Sequence, residues 1–444
     1  MTLIYKSILI LIVLSLAVPA AAAPMDGESP FLPVSLDVLS NGMRIIVREN
    51  EHFPTVSLNL WVGAGSKHDP EDASGLAHFF EHMLFQGTET REAGEMIDTI
   101  EGLGGSWNAA TSLDTTFYFI NLPSQHWEKA MELQADAALA ANFPEEPMEI
   151  ERDVIIEEIR TRASSPSSIL LDSTLQTAFE GTPYARPILG TEEHVRQIDR
   201  DDMFEFKAEY YVPNNMTLVV SGDVDREEIL AKAERLYGGE EPRRVTPVDP
   251  GELEPVDEIE TVETELDVDT PRIAVGISGT ALDHGQGAAL EMAALILGTG
   301  QTSRLYQDLV ETGLARDVSA SFNGFEDVWI FLLQAQADAE NMEEVEEYLQ
   351  SAIVSLQEEP VAEEELERAQ VMARASFAFS AETNADVGTL LGRFETSGSL
   401  QDGLNHILTL ESATADDIRT AALQHLDSDA YIRSIIKPAQ GGMD

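Results

Sequence analysis

The chain has 444 residues, 80 of them acidic and 27 basic, for a formal net charge of −53, and it has no cysteine. That length exceeds the roughly 100 to 200 residues of an ordinary domain and predicts at least two. The acidity excludes nucleic acid as a partner, because phosphate binding needs clustered Lys and Arg, and the missing thiols exclude disulfides and a lipidated cysteine. Most of the charge reads as a solubility device that would also attract basic peptides.

Residues 1–23 read as a secretory signal: Lys6 gives a positive start, Ser7 to Val18 an apolar run, and Pro19 to Ala23 a small-residue cleavage zone. The run is shorter than the roughly 20 residues that span a bilayer. A periplasmic or secreted chain without a stable membrane anchor is therefore expected. Val34 to Val47 alternates around Asn41-Gly42, a hairpin signal, and Thr55 to Val62 (TVSLNLWV) alternates again as a strand. Asp72-Ala73-Ser74 then offers capping residues to an apolar helix from Leu76 to Phe85.

Ala93 to Leu103 predicts a helix stopped at Gly104-Gly105, and Thr115 to Leu122 a strand. Trp127 to Ala141 and Pro147 to Arg162 have helical periodicity, and Met216 to Val220 is strand-like. Pro, Gly, Glu and Asp crowd residues 238–269, the pattern of an exposed linker, although Ile259 to Val268 could pair as an edge strand. Arg272 to Ser278 reads as a strand and Gly287 to Leu297 as a helix. The recurrence of strand, helix and later helices in each half suggests a diverged duplication. Expected bounds are 34–237 for an N-terminal domain, 238–262 for the linker and 263–444 for a C-terminal domain. The mixture predicts an α+β fold rather than a doubly wound sheet.

The chemistry concentrates in Gly75 to Thr88, GLAHFFEHMLFQGT. On a helix, His78 and His82 share a face and Glu81 joins it. Two neutral imidazoles suit zinc, and an adjacent unbound carboxylate can take a proton from water. Chance alone would produce this pattern in about three of a hundred such chains. A packed helix is the plain alternative, but burying all three groups without a partner would cost several kcal/mol.

With its flanks, this stretch resembles the inverted His-x-x-Glu-His motif of the pitrilysin/insulinase zinc metallopeptidase family, in its processing-peptidase-like bacterial branch. The family's third ligand is a glutamate in a downstream helix, and Glu151 to Ile159 here reads ERDVIIEEI. The resemblance implies Glu158 as that ligand, 76 residues beyond His82, with Glu151 as a supporting acid. Glu157 is rotated about 100° from Glu158 on a helix. It further implies one Zn²⁺ per chain, Glu81 as general base, and a substrate-pairing edge strand in GGSWNAATSLDTTFY, with Asn108, Ala109 and Thr111 facing the peptide. The implied fold is two homologous domains, each an antiparallel sheet with helices on one face, closing as a clamshell on an extended peptide.

One stretch departs from the family. Where members that act alone carry an Arg and a Tyr to hold the substrate backbone, this chain has Thr312 and Arg316. Either Arg316 or Arg304 substitutes, or a homologous subunit without zinc supplies the clamp, and a homodimer is a further arrangement. A non-catalytic scaffold or assembly subunit is the alternative function, against which stand the retained ligands and base.

Overall fold

The computed structural model describes residues 33–439, so the expected leader lies outside the described residues. Two sheets organise them. The first contains β1 (Val34–Val38), β2 (Arg44–Glu49), β3 (Thr55–Val62), β4 (Ser106–Thr111), β5 (Thr116–Pro123) and β6 (Met216–Gly222), in the order β1-β2-β6-β3-β5-β4. The second contains β7 (Glu260–Leu266), β8 (Arg272–Thr280), β9 (Ala315–Gly324), β10 (Val328–Ala337) and β11 (Ile432–Pro438), in the order β7-β11-β8-β10-β9.

The two orders superpose when β7 is matched to β2, β11 to β6, β8 to β3, β10 to β5 and β9 to β4. Both sheets are antiparallel except for one parallel pair at the matched place, β2 with β6 and β11 with β7. The sheets are therefore mixed where purely antiparallel ones were expected, because β6 and β11 arrive after long helical excursions that reverse the chain's approach. β7 begins at Glu260, inside the stretch expected to be linker. Leu253 and Val256 of that stretch pack against a buried cluster rather than standing free.

β3 shows why the halves stay together. Val56, Leu58, Leu60 and Val62 enter the core beneath the first half's own helices. The alternate residues Ser57, Asn59 and Trp61 face the other way, yet they too are buried. A polar second face normally meets water. Here the helix Asn384–Thr396 of the second half lies over β3 and β6, bringing Val387 and Leu391 onto Ile46, Trp61 and Val219. The exchange is reciprocal: helix Pro166–Ala178 of the first half lies over β8 and β11, with Leu170 against Ala274 and Ile436. Each sheet thus has helices on both faces, where one face was expected.

The covering helix comes close because it presents glycine. A Cβ on Gly392 would lie 1.9 Å from Trp61 Nε1. Gly392→Val is therefore expected to force the helix off β3 and cost about 1–3 kcal/mol by overpacking. Denaturant unfolding measures this, and an unchanged midpoint would show that the contact gives way freely.

Candidate metal centre

The helix Leu76–Met83 is barely two turns long, and Leu76, Ala77, Phe79, Phe80 and Met83 bury its apolar face. Its free N-terminal donors are met from a distance. Gly75 N–H donates to Asp69 Oδ2 at 2.7 Å and Ala77 N–H to Asp69 Oδ1 at 2.8 Å. An acidic group there suits both the unfilled N–H groups and the helix dipole. The loop ahead of the helix approaches the β4–β5 turn so closely that a Cβ on Gly65 would sit 2.4 Å from Ser112 O.

The second contributing helix, Glu145–Arg162, begins with Glu145 and Glu146 and ends with Arg160 and Arg162, charges that suit its dipole. Met148, Arg152, Ile155 and Ile156 anchor it. Glu151 and Glu158, two turns apart, turn toward the short helix. Glu157 points away, pairing with Arg160 at 2.6 Å in an exposed position.

The structure brings His78, His82 and Glu158 together, with one ligand atom of each lying within 4.8 Å of the others. Glu158 Oε2 is 3.8 Å from His78 Nε2 and 3.6 Å from His82 Nε2. A tetrahedral zinc with bonds of about 2.1 Å needs ligand separations of about 3.4 Å. The donor set therefore fits zinc with small side-chain adjustment. Charge agrees with distance: none of Glu81, Glu151 and Glu158 is paired with a Lys or Arg among the described residues. A cation would balance the three carboxylates.

Protonation is arranged for the same purpose. Burial, with His82 nearby, lowers the pKa of His78 to about 3, so its imidazole is neutral and free to ligate at neutral pH. Burial also pulls His82 down, but its bond to Glu151 and the nearby carboxylates Glu158 and Glu81 outweigh this and raise it. A ligating imidazole must be neutral, so metal and proton compete for His82. His82 Nδ1 lies 2.9 Å from Glu151 Oε2, and Gln86 Nε2 donates to Glu151 Oε1 at 2.6 Å. With Nδ1–H donated to the carboxylate, the lone pair of Nε2 faces Glu158.

Glu81 shares the site without lying among the three ligand atoms. Burial raises its pKa, opposed by the Thr111 hydroxyl, which donates to its Oε2 at 2.7 Å. That bond places the outermost strand of the first sheet, β4, beside the carboxylate. The three residues expected to face a peptide separate by strand period: Ala109 and Thr111 lie on the half-buried side, while Asn108 is exposed. Asn108 Oδ1 accepts from Ala109 N–H at 2.9 Å, so that donor is not spent on β5.

The two basic candidates for the missing clamp are both engaged within the second half. Arg316 pairs with Asp338 at 2.6 Å, and Arg304 makes a two-pronged pair with Glu365 at 2.8 Å and 2.8 Å. Thr312 donates its hydroxyl to Asp308 O. Sequence reasoning missed Asp69 and Gln86. Asp69 carries no motif, and nothing in GLAHFFEHMLFQGT marks Gln86 as facing Glu151.

Residues 44–192, which hold His78, Glu81, His82, Glu151 and Glu158, match the family described as insulinase (peptidase family M16). Residues 197–371 match the description peptidase M16 inactive domain. This chain belongs to the insulinase family of peptidases. Among its relatives, an uncharacterized zinc protease of Bacillus subtilis is 27% identical over 83% of this chain and 91% of its own length. One of Mycobacterium leprae is 29% identical over 90% of this chain and 91% of its own. A probable mitochondrial-processing peptidase subunit beta of Arabidopsis thaliana is 25% identical over 89% of this chain and 77% of its own. The fold is also that of a Helicobacter pylori protease, with TM-score 0.84 and 24% identity over 91% of this chain and 99% of that one. The insulinase match to the first half agrees with the metal-binding set lying there alone among the described residues.

Two measurements follow from the site. Glu151→Ala leaves His82 without its orienting acceptor and should weaken zinc binding about 10- to 100-fold in a chelator competition titration; unchanged affinity would show that packing alone orients the ring. Burial also pushes Asp69 from 3.8 up to about 7, against the opposing Ala77 and Gly75 donors. A raised folded-state value contributes stability that is full below about pH 4 and is lost as pH rises through about 7. The stability of the parent relative to Asp69→Asn should therefore fall across that interval in denaturant unfolding. A flat difference would mean that Asp69 titrates as an ordinary acid.

Proposed function

We propose that this chain is an exported zinc endopeptidase that hydrolyses extended peptides or unfolded polypeptides. The observation that carries this is the cluster of His78, His82 and Glu158, with the unbound, Thr111-held carboxylate of Glu81 beside it. Two histidines and a glutamate would hold one zinc, which supplies a Lewis acid and lowers the pKa of water toward about 7. Glu81 moves the proton. Its Oε2 is fixed by Thr111, leaving Oε1 to take a proton from the attacking water and return it to the leaving amine. Burial raises the pKa of Glu81, the direction that helps a carboxylate accept a proton.

β4 gives the substrate its place. As the outer strand of its sheet it has one backbone edge with no neighbouring strand among the described residues. A peptide adding there would be held by main-chain bonds, which tolerate many sequences. Ala109 N–H would donate to it in exchange for the Asn108 side chain.

Export rests on the charged start, apolar run and small-residue zone of residues 1–23. Among the described residues no helix is long and apolar enough to cross a membrane. A second reading, in which this chain is the metal-bearing member of a heterodimer, is favoured by Arg304 and Arg316 both being tied within the second half. A homologous partner without zinc would then supply the clamp.

Glu81→Gln should keep one zinc per chain by elemental analysis while turnover of a peptide library falls by at least about 10²-fold, within the range of general acid–base catalysis. His82→Ala should lose both zinc and turnover. Full activity in the Gln variant would remove Glu81 as the base, and full activity of the isolated parent chain would remove the heterodimer.

A further inference from the structure

Outside the metal centre, a buried lysine lies where the two halves meet, with partners that run from nearly buried to exposed. Lys67 is 4% exposed. Its ammonium lies 3.0 Å from Asp114 Oδ1, 2.6 Å from Glu326 Oε2 and 3.2 Å from Asp327 Oδ2, and it donates to Tyr184 Oη at 3.0 Å. Tyr184 donates its own hydroxyl toward Asp114 at 2.7 Å and Asp327 at 2.8 Å. Glu326 N–H donates to Asp114 Oδ2 at 3.1 Å. Three carboxylates from two halves of the chain thus converge on one lysine. Glu326 and Asp327 belong to the β9–β10 turn, and Lys67 and Asp114 to the half that carries the metal ligands.

Both routes from this cluster to the site are short. Ser66 and Lys67 N–H donate to Ser112 O and Leu113 O, each at 3.0 Å. One residue before Ser112 is Thr111, which holds Glu81. Two residues after Lys67 is Asp69, whose carboxylate accepts the N–H groups that open the helix of His78 and His82. Arg186 donates to the carbonyls of Lys67 and Asp69 and fixes the loop between them.

The other large contact between the halves is apolar at its centre but carries a polar cost. Beneath the helix Asn384–Thr396, the Asn59 Oδ1, Trp61 Nε1 and Ser221 Oγ atoms are buried with no hydrogen-bond partner in the protein. Burying such atoms unpaired is unfavourable, and separation would hydrate them. The lysine cluster therefore adds polar pairing to a contact that the buried apolar residues and the bonds of Asn384 to Asn50 and Thr55 also hold.

We propose that Lys67 is a positioning residue: by binding the β9–β10 turn of the second half, it holds the halves together and sets β4 and the metal-binding helix relative to each other. Without its charge, Asp114, Glu326 and Asp327 face one another as like charges and drive the turn away. For catalysis the proposal rests on the peptidase reading above; for the arrangement of the halves it does not.

The test uses the full chain, whose lack of cysteine lets two introduced thiols carry the only spin labels. Labels go on exposed helical positions, through Glu227→Cys in the first half and Glu347→Cys in the second. Interspin distance distributions are compared for the labelled parent, Lys67→Met, and a Glu326→Gln plus Asp327→Asn double variant. The double variant alters only a turn of the second half, so it remains informative if Lys67→Met folds poorly. The expected result is a broader, shifted distribution in the double variant with zinc content unchanged. Its kcat on a long peptide should fall about tenfold, with KM changed less. A parental distribution in the double variant overturns the proposal, as does a shifted distribution accompanied by parental kcat. If the zinc-loaded parent turns over no peptide, the peptidase reading fails while the distance result still decides the role of Lys67 in joining the halves.

Discussion

Three carboxylates and two imidazoles gathered between a two-turn helix and an 18-residue helix set the constraint on which the rest of the first half depends. Like charges at such separations repel strongly once water is reduced, and among the described residues no Lys or Arg pairs with them. A divalent cation would relieve the repulsion, and the surroundings suit each group to one. Burial keeps His78 neutral, Glu151 fixes the ring of His82, and Thr111 holds Glu81 to the side. The short helix has too few turns to orient itself, so Asp69 holds one end and the buried aromatic residues Phe79 and Phe80 its back.

Among the described residues the second half adds nothing to the metal-binding set, yet the first sheet would be incomplete without it. Its helix Asn384–Thr396 covers the face that carries Trp61, and the first half returns the favour with helix Pro166–Ala178 over β8 and β11. An exchanged helix makes each sheet's second face a contact between halves. Separating the halves would expose Trp61, Val219, Leu170 and Ala274 to water. The polar residues on the same faces limit that gain, which gives the Lys67 cluster its weight.

Much of the site was readable because its chemistry is periodic. His78 and His82 are one helical turn apart, and Glu151 and Glu158 two turns apart, so their shared faces follow from helix geometry alone. TVSLNLWV alternates and TTFYFINL is rich in β-forming residues, and both emerged as strands within a residue or so of the expected limits. Other features have no local signature. The parallel pairs β2–β6 and β7–β11 depend on where the chain returns after more than a hundred residues, and the strand's two-residue period sets Asn108 on the face opposite Ala109 and Thr111.

By itself, the sequence determined the kinds of donor, their spacing within each helix, the acidity and the two-part organisation, since each is a property of neighbours along the chain. Tertiary structure alone decided that the two helices bring their donors within 4.8 Å, that β4 ends beside Glu81, and that Lys67 meets Glu326 and Asp327 across about 260 residues. Helical periodicity fixes only the face on which a side chain lies. Which faces meet is set by burial and charge balance summed over the whole fold, and those sums include residues that no local pattern connects.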